Sequence, residues 1–245
     1  MFWNQLLWVI FPYVMLTLFI VGHIYRYNYD QFGWTAQSSE FMEKKSLKWG
    51  SILFHVGILM VLGGHLVGLL VPKALTEAIG MTEEMYHAGA IFGGGFAGII
   101  TLAGISILLF RRVSVKRVRV TGSYTDMLIA FLLFLEILMG LYNTLGYNLF
   151  VGEVDYRTTL APWLRGILLL NPNPALMEEV PLFFKLHTLF AFAIFGLWPF
   201  TRLVHVWSIP LEYLKRSYII YRSRNAKRAV QIRQANSKST HPSQL

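Results

Sequence analysis

Four histidines stand out because they lie within long apolar stretches of the sequence. One stretch contains His55 and His65. A later one contains His187 and His205. Ionisable side chains are rare and costly in hydrocarbon, so histidines in such places are expected to be ligands or proton carriers. The chain has no cysteine, which excludes disulfides, a CxxCH haem attachment and iron–sulfur clusters held by cysteine.

The elements that carry these histidines are predicted to be membrane-spanning helices. Hydrophobic residues make up 55% of the 245 residues and charged residues 14%, a balance far from that of a soluble domain. About 20 apolar residues cross the hydrocarbon core of a bilayer. Stretches near this length, named spans 1 to 5, occur at 2–22, 50–72, 88–110, 125–147 and 182–204. The predicted fold is an all-α membrane protein, a bundle of five transmembrane helices.

The distribution of charge predicts the orientation of the bundle. The net charge is +9, and basic residues cluster between spans 1 and 2, between spans 3 and 4, and after span 5. The loops at 72–87 and 148–181 contain more acidic than basic residues. The positive-inside rule then places the N-terminus outside and the C-terminus in the cytoplasm. A nucleic-acid partner would also attract basic charge, but the alternation with apolar spans favours topology, and no nucleic-acid partner is expected.

No internal repeat or Gly/Ser linker divides the chain, so residues 1–222 are predicted to form one transmembrane domain. Residues 223–245 are predicted to be a basic cytoplasmic tail, partly disordered. Pro199 lies within span 5 and is predicted to kink it. The string PWLRGILLL at 162–170 predicts a short amphipathic helix at the membrane interface.

Depth along the helices divides the four histidines into two pairs. At about 1.5 Å per residue, His55 lies about 9 Å and His65 about 24 Å from the cytoplasmic end of span 2. Span 5 runs the opposite way, so His187 is near the outer surface and His205 near the cytoplasmic end. His65 therefore lies at the depth of His187. The depth of His55 is that of His205.

Two imidazoles at one depth suit an iron whose equatorial positions are filled by a porphyrin. The two pairs are about 15–25 Å apart, whereas ligands of one zinc ion lie about 2 Å from it, so a single four-histidine zinc site is excluded. Two bis-histidine haems are predicted, of the b type because no cysteine can attach them. Fully coordinated iron has no open position, which indicates electron transfer. The alternative is that these histidines are polar core residues, hydrogen-bonded across helices.

Other polar residues are candidates for supporting roles. Haem propionates need basic partners, and Arg112 and Arg202 are placed for the inner haem. The alternative is that arginines there only mark topology. Asp126 is predicted to cap the start of span 4. Glu136 is a mid-membrane acid that must face the interior, either as a proton relay or as a hydrogen-bonded structural residue.

Several strings resemble the gamma subunit of membrane-bound respiratory nitrate reductase, a di-haem cytochrome b. The similarity covers about residues 11–222 and is carried by YRYNYDQFGWTAQSS, SILFHVGILMVLGGHLVGLLVP, FRRVSVKRVR, FFKLHTLFAFAIF and PFTRLVHVWSIPLEYL. The resemblance implies a multi-pass protein of the bacterial cytoplasmic membrane that oxidises a quinol, menaquinol or ubiquinol, near the outer haem. It also implies electron transfer inward to an iron–sulfur beta subunit and a molybdenum-containing alpha subunit that reduces nitrate.

The quinol site is where this sequence departs from some of its relatives. Some members carry a lysine before span 3 that is implicated in quinol binding, and in the string MTEEMYHAG the residue Tyr86 stands in its place. His87 follows it. Tyr86, His87 and His65 are therefore the predicted quinol-site residues. For Tyr86 and His87 the alternative role is that of interfacial residues.

Two other functions remain open from the sequence. A related cytochrome b in a sulfite- or heterodisulfide-reducing complex would have the same wiring and a different soluble partner. A transporter or inert membrane anchor, from another class, would use the histidines for substrate or protons. A reduced-minus-oxidised spectrum distinguishes this class, because it would show no haem bands.

Overall fold

The computed structural model describes residues 2–30, 39 and 42–207. Every regular element within these residues is helical. Five helices are long and apolar enough to cross a membrane, and they give the bounds of spans 1 to 5: Phe2–Tyr29, Lys45–Leu70, Glu83–Ser114, Tyr124–Phe150 and Leu182–Phe200. The predicted bundle of five spans is confirmed. The orientation of its termini stays a prediction, and the tail at 223–245 lies outside the described residues.

Spans 3 and 4 begin at hydroxyl caps. The side chain of Thr82 accepts a hydrogen bond from the backbone N–H of Met85 at 3.2 Å, and that of Ser123 accepts one from the N–H of Asp126 at 3.1 Å. The prediction that Asp126 caps span 4 is therefore wrong. Ser123 satisfies the orphan N–H instead, and Asp126 lies in the first turn, where a carboxylate complements the positive end of the helix dipole.

Spans 2 and 3 are packed closely enough for their backbones to touch. A Cβ on Gly57 would lie 2.7 Å from the backbone N of Thr101. A Cβ on Gly104 would lie 2.7 Å from the Cα of Phe54. Neither contact can be relieved by a side-chain movement, because the facing atoms are backbone. These two glycines let the helix that carries His55 and His65 lie directly against span 3.

Short π-helical stretches widen spans 1 and 2 where other segments bond to them. The carbonyl of Trp8, in span 1, accepts a hydrogen bond from Nε1 of Trp163 at 2.9 Å. The carbonyl of Leu69, in span 2, accepts one from Arg165 at 2.9 Å. Such stretches release carbonyls from the regular helical ladder. They tie both spans to one short helix, Leu160–Leu168.

The helix Leu160–Leu168 is the predicted short amphipathic helix. Its inner face is buried, and Trp163 and Ile167 are among the least accessible side chains of the chain. Trp163 packs edge to face on Trp8, with ring centres 5.8 Å apart. Leu170, with φ of +59°, follows the helix in a left-handed conformation that ends it. Its position at the membrane interface stays a prediction.

Span 5 does not continue past Pro199 as a kinked helix, so that prediction is wrong. The α-helix is Leu182–Leu197, and the turns Trp198–Phe200 and Arg202–Val206 are 3-10 helices. Pro199 has no N–H to extend the helical ladder. Thr201 then takes an extended conformation, and its side chain accepts a hydrogen bond from the N–H of Leu203 at 3.4 Å.

Arg111, at the end of span 3, is buried and only 4% exposed. Its guanidinium donates to the side chain of Glu43 at 2.8 Å and to the carbonyl of Ser39 at 2.8 Å. Glu43 also accepts from the backbone N–H of Ser46, which is the main reason its pKa is lowered. The segment before span 2 is thus fastened to the end of span 3.

Candidate functional site

The structure brings the four membrane histidines together in the two pairs that depth predicted. The ring centres of His65 and His187 are 6.1 Å apart. Those of His55 and His205 are 6.0 Å apart. His205 reaches its place from a 3-10 turn rather than from a continuous helix. The prediction of the pairs used only depth in the membrane, so it holds although His205 does not lie on an α-helix.

Both separations fit two axial imidazoles on one iron. Metal–nitrogen bonds of about 2.0 Å, with about 1.1 Å from each nitrogen to its ring centre, would place the centres about 6.2 Å apart. Among residues 2–30, 39 and 42–207, no group of three or more His, Asp or Glu could hold a metal ion. A pair of histidines is a poor set for a bare ion and a complete axial set for haem iron.

Three of the four rings are oriented by a backbone carbonyl of their own segment. Nδ1 of His65 donates to the carbonyl of Val61 at 2.8 Å. Nδ1 of His55 donates to that of Ser51 at 2.8 Å. Nδ1 of His205 donates to that of Arg202 at 2.6 Å. A carbonyl only accepts, so the proton is on Nδ1 and the Nε2 lone pair is the one suited to a metal.

His187 is oriented differently, by a residue of another span. Its Nδ1 lies 3.0 Å from Oε1 of Glu136, in span 4. The two atoms are within ion-pair distance, but their geometry does not meet that of a hydrogen bond. Glu136 therefore faces the interior, as predicted, and its carboxylate contacts a predicted haem ligand.

His55 and His65 are exposed on apolar helices. An imidazole that faced hydrocarbon there would be costly, so a partner must cover it. The flat face of a porphyrin is such a cover, and the ring-centre distances allow its iron between each pair. The residues present thus fit a b haem at each level, and their role as ligands remains a prediction.

Positive charge is concentrated at the end of the bundle that carries His205, which is predicted to be the inner end. Arg112 and Arg202 lie 3.4 and 3.8 Å from the same carboxylate oxygen of Asp126. Burial is the main cause that lowers the pKa of Arg202, and Arg112 lowers it further, whereas Asp126 raises it. Two cations sharing one carboxylate leave a partly buried positive charge, which suits an additional anion such as a propionate.

At the outer end, a pair of tyrosines packs on the turn that follows His65. The hydroxyls of Tyr86 and Tyr156 are 3.0 Å apart. A Cβ on Gly68 would lie 3.0 and 2.9 Å from these two oxygens. Burial is the main cause that raises the pKa of Tyr156. With its pKa raised, the phenol of Tyr156 keeps its proton at neutral pH, and either hydroxyl of the pair can be the donor of the hydrogen bond between them.

Arg157 holds this tyrosine pair in place. Its guanidinium carbon lies 3.6 Å from the ring centre of Tyr86, a cation–π arrangement. The same guanidinium is paired with the carboxylate of Glu83, which also contacts Lys73. A hydrogen bond to Glu83 is the main cause that raises the pKa of Lys73. The network ties the loop after span 2 to the start of span 3.

His87 is placed beside this network rather than in contact with the predicted outer haem ligands. Its Nε2 lies 3.4 Å from Oε1 of Glu153, whose side chain is mostly exposed. The structure thus puts the hydroxyl of Tyr86 beside Gly68, which lies one helical turn after His65. It puts His87 against an acid at the end of the bundle that is predicted to be outer.

Sequence reasoning missed Tyr156 and Arg157, which lie in an irregular segment with no periodicity. The helical spacing of Glu136, Gly140 and Asn143, at i, i+4 and i+7 of span 4, was a signal that could have been read.

The comparisons with known proteins agree on one family. The family described as nitrate reductase gamma subunit matches residues 4–224. The nitrate reductase gamma chain of Bacillus subtilis (strain 168) is 52% identical over 91% of this chain and 99% of its own length. The respiratory nitrate reductase 1 gamma chain of Escherichia coli (strain K12) is 34% identical over 91% and 99%. The nitrate reductase-like protein NarX of Mycobacterium tuberculosis is 44% identical over 90% of this chain, but only 34% of that longer protein.

Proposed function

This chain belongs to the nitrate reductase gamma subunit family, and we propose that it oxidises a quinol near the outer face of the membrane and delivers the electrons inward. As a member of the family it is the membrane subunit of a nitrate reductase complex. The acceptors that we propose are an iron–sulfur subunit and a molybdenum-containing subunit on the cytoplasmic side. The observation that supports this most is the presence of two histidine pairs with ring centres 6.0 and 6.1 Å apart.

Each pair would hold one b haem through its Nε2 atoms. When bound, a b haem with two histidine ligands supplies a one-electron carrier that has no open position for substrate. His55 and His205 would hold the inner haem. His65 and His187 would hold the outer one. Arg112 and Arg202 would place positive charge opposite the inner propionates.

The outer tyrosine pair supplies the hydrogen-bonding groups that a quinol needs. Tyr156 and Tyr86 present hydroxyls next to the turn after His65. Because burial raises the pKa of Tyr156, its phenol would donate a hydrogen bond to the substrate oxygen rather than take its proton. The proton acceptor that we propose is His87, whose neighbour Glu153 would stabilise the imidazolium.

The proposed direction of electron transfer, from outside to inside, follows from the distribution of basic residues among the loops. Protons released outside and electrons moved inward are equivalent to moving charge across the membrane, worth about 2.3 kcal/mol for each charge per 100 mV. Such an arrangement conserves energy without a pump.

The test begins with spectra of the purified protein and its co-purified partners. We expect a reduced-minus-oxidised spectrum with two b haems and nitrate reduction driven by a quinol analogue. In oriented vesicles, quinol oxidation should acidify the side opposite the soluble subunits. Protein without haem bands would contradict the proposal and favour a transporter or anchor. Protons appearing on the cytoplasmic side would contradict the topology.

The choice of final acceptor has its own control. Family membership favours nitrate over the sulfite- or heterodisulfide-reducing alternatives. The co-purified complex should reduce nitrate with quinol and fail with sulfite under the same conditions. The reverse result would assign the subunit to the alternative complex.

A further inference from the structure

Glu136 is an acid in the middle of span 4 with one specific neighbour. Its side chain is 13% exposed, and its Oε1 lies 3.0 Å from Nδ1 of His187. Neither Glu136 Oε2 nor His187 Nδ1 has a well-aligned hydrogen bond within the described residues. A carboxylate buried in an apolar span is costly unless a donor or positive charge compensates it. Here the imidazole is the group that faces it.

The backbone explains why His187 turns to another helix. The carbonyl one turn before it belongs to Phe183, and this carbonyl accepts a hydrogen bond from Nδ2 of Asn143 at 3.3 Å. For His55 and His65 the corresponding carbonyl orients the ring directly. Asn143 is itself buried, 4% exposed. Asn143 of span 4 thus bonds the carbonyl that would otherwise orient the ring. Glu136, also of span 4, offers a carboxylate to Nδ1 instead.

The same face of span 4 also packs against the imidazole ring of His187. A Cβ on Gly140 would lie 3.0 Å from Cε1 of His187 and 3.5 Å from its Nε2. Glu136, Gly140 and Asn143 follow each other at intervals of four and three residues, so they share one helical face. This face contacts the ring at Cε1 through Gly140 and at Nδ1 through Glu136. Asn143 bonds to the backbone of span 5 one turn before the ring.

We propose that Glu136 is the positioning residue of the outer histidine pair, which orients His187 with its proton on Nδ1 and lowers the reduction potential of the outer haem. This rests on the proposed function. A carboxylate bonded to the remote nitrogen of a metal-bound imidazole increases the basicity of the ligand. Its negative charge also favours the more positive, oxidised iron. In the inner pair, Nδ1 of His55 faces the carbonyl and the hydroxyl of Ser51, and Nδ1 of His205 faces the carbonyl of Arg202.

The experiment is a redox titration of Glu136→Gln in the complete complex, followed in the haem absorption bands. The substitution keeps the shape and the acceptor oxygen and removes the charge. Bands of the outer haem are assigned as those lost in His187→Ala. The matched control is Glu178→Gln, which changes the same groups at an exposed carboxylate that accepts a hydrogen bond from Asn4.

We expect Glu136→Gln to shift the reduction equilibrium of the outer haem about tenfold toward the ferrous form, which is about 59 mV for one electron. The inner haem and the control should not move. Because the inner haem reports whether the bundle folds, selective loss of the outer haem in Glu136→Leu, with the inner one retained, supports the positioning role. A Glu136→Gln variant that keeps both haems at unchanged potentials overturns the inference. Wild-type protein without haem would instead contradict the proposed function.

Discussion

The outer and inner histidine pairs use the same side chains in different surroundings. Both outer histidines lie within membrane-spanning helices, His65 as the last α-helical residue before the π-helical stretch Leu66–Leu70. A carboxylate of a third helix faces His187. The inner pair includes His205, which lies on a 3-10 turn beyond the end of span 5. The positive charges of Arg112 and Arg202 are nearby. The outer pair is therefore defined by helix packing, whereas the inner pair depends on how a helix ends.

The difference also extends to charge and ring orientation. The imidazole planes are inclined by 42° in the outer pair and 77° in the inner pair. A negative charge near an iron favours its oxidised state, and positive charges favour the reduced state. The surroundings therefore push the two proposed haems apart in potential, in the sense that moves electrons inward.

Removal of a histidine should have the largest effect, because it deletes an axial ligand. His187→Ala should remove the outer haem and abolish quinol-dependent nitrate reduction while the inner haem remains. His205→Ala should do the reverse for the spectrum. His87→Ala is the control for haem content and should retain both. Loss of both haems from either ligand variant would show that the two sites are not independent, and the comparison would fail.

Gly140→Ala should have the next largest effect and should act on the outer pair alone. The added Cβ would lie 3.0 Å from the ring of His187, so the ring must give by a few tenths of an ångström and outer haem occupancy should fall while inner haem occupancy is retained. Gly89→Ala is a matched control, because a Cβ there meets no atom within 4 Å. Haem content measured by pyridine haemochrome and by difference spectra checks this. Equal loss of both haems would point to general misfolding.

Arg202→Gln should act on the inner pair by charge. A positive charge near an iron favours its reduced form, so without this charge the inner haem should favour the oxidised form by about fivefold, which is about 1 kcal/mol. Redox titration measures this shift. Lys116→Gln removes a similar charge from an exposed position on the same predicted side, where water and salt screen it, and should move the inner potential much less. An outer haem that moved as much as the inner one would refute the assignment.

Thr201→Ala should give the smallest effect. It removes the hydroxyl that accepts from Leu203 N–H at the start of the turn carrying His205. The expected cost is about 0.5–1 kcal/mol, in the low range for a lost cap. Thermal release of the inner haem should then begin at a lower temperature, with the outer haem as internal reference. Unchanged release of the inner haem would mean that the turn is held by other contacts.

Composition and helical rise were sufficient to predict the spans and the pairing of the histidines. Depth depends only on position along a helix, so the pairing was insensitive to the early end of span 5. Rotation about a helix axis and the identity of the facing helix depend on packing. For that reason the sequence predicted that Glu136 faces the interior but did not predict that it contacts His187.

The ends of elements and the outer network were harder to predict. Ser123 and Asp126 are both good caps, and only the structure shows which one accepts the hydrogen bond. Pro199 predicts an interruption but does not reveal whether the helix resumes. Tyr156 and Arg157 contact their partners from a loop. A loop has no repeat of apolar residues that would indicate which way its side chains point.

Arg111 has a consequence for how the protein is made. In the predicted topology, its guanidinium is one of the charges that keep the loop after span 3 in the cytoplasm before the bundle assembles. After assembly the same group is enclosed, with Ser39 and Glu43 as its hydrogen-bond partners. Lysine would serve the first stage equally well but has no planar fork for the second. Biogenesis and the finished structure therefore place separate demands on a single position.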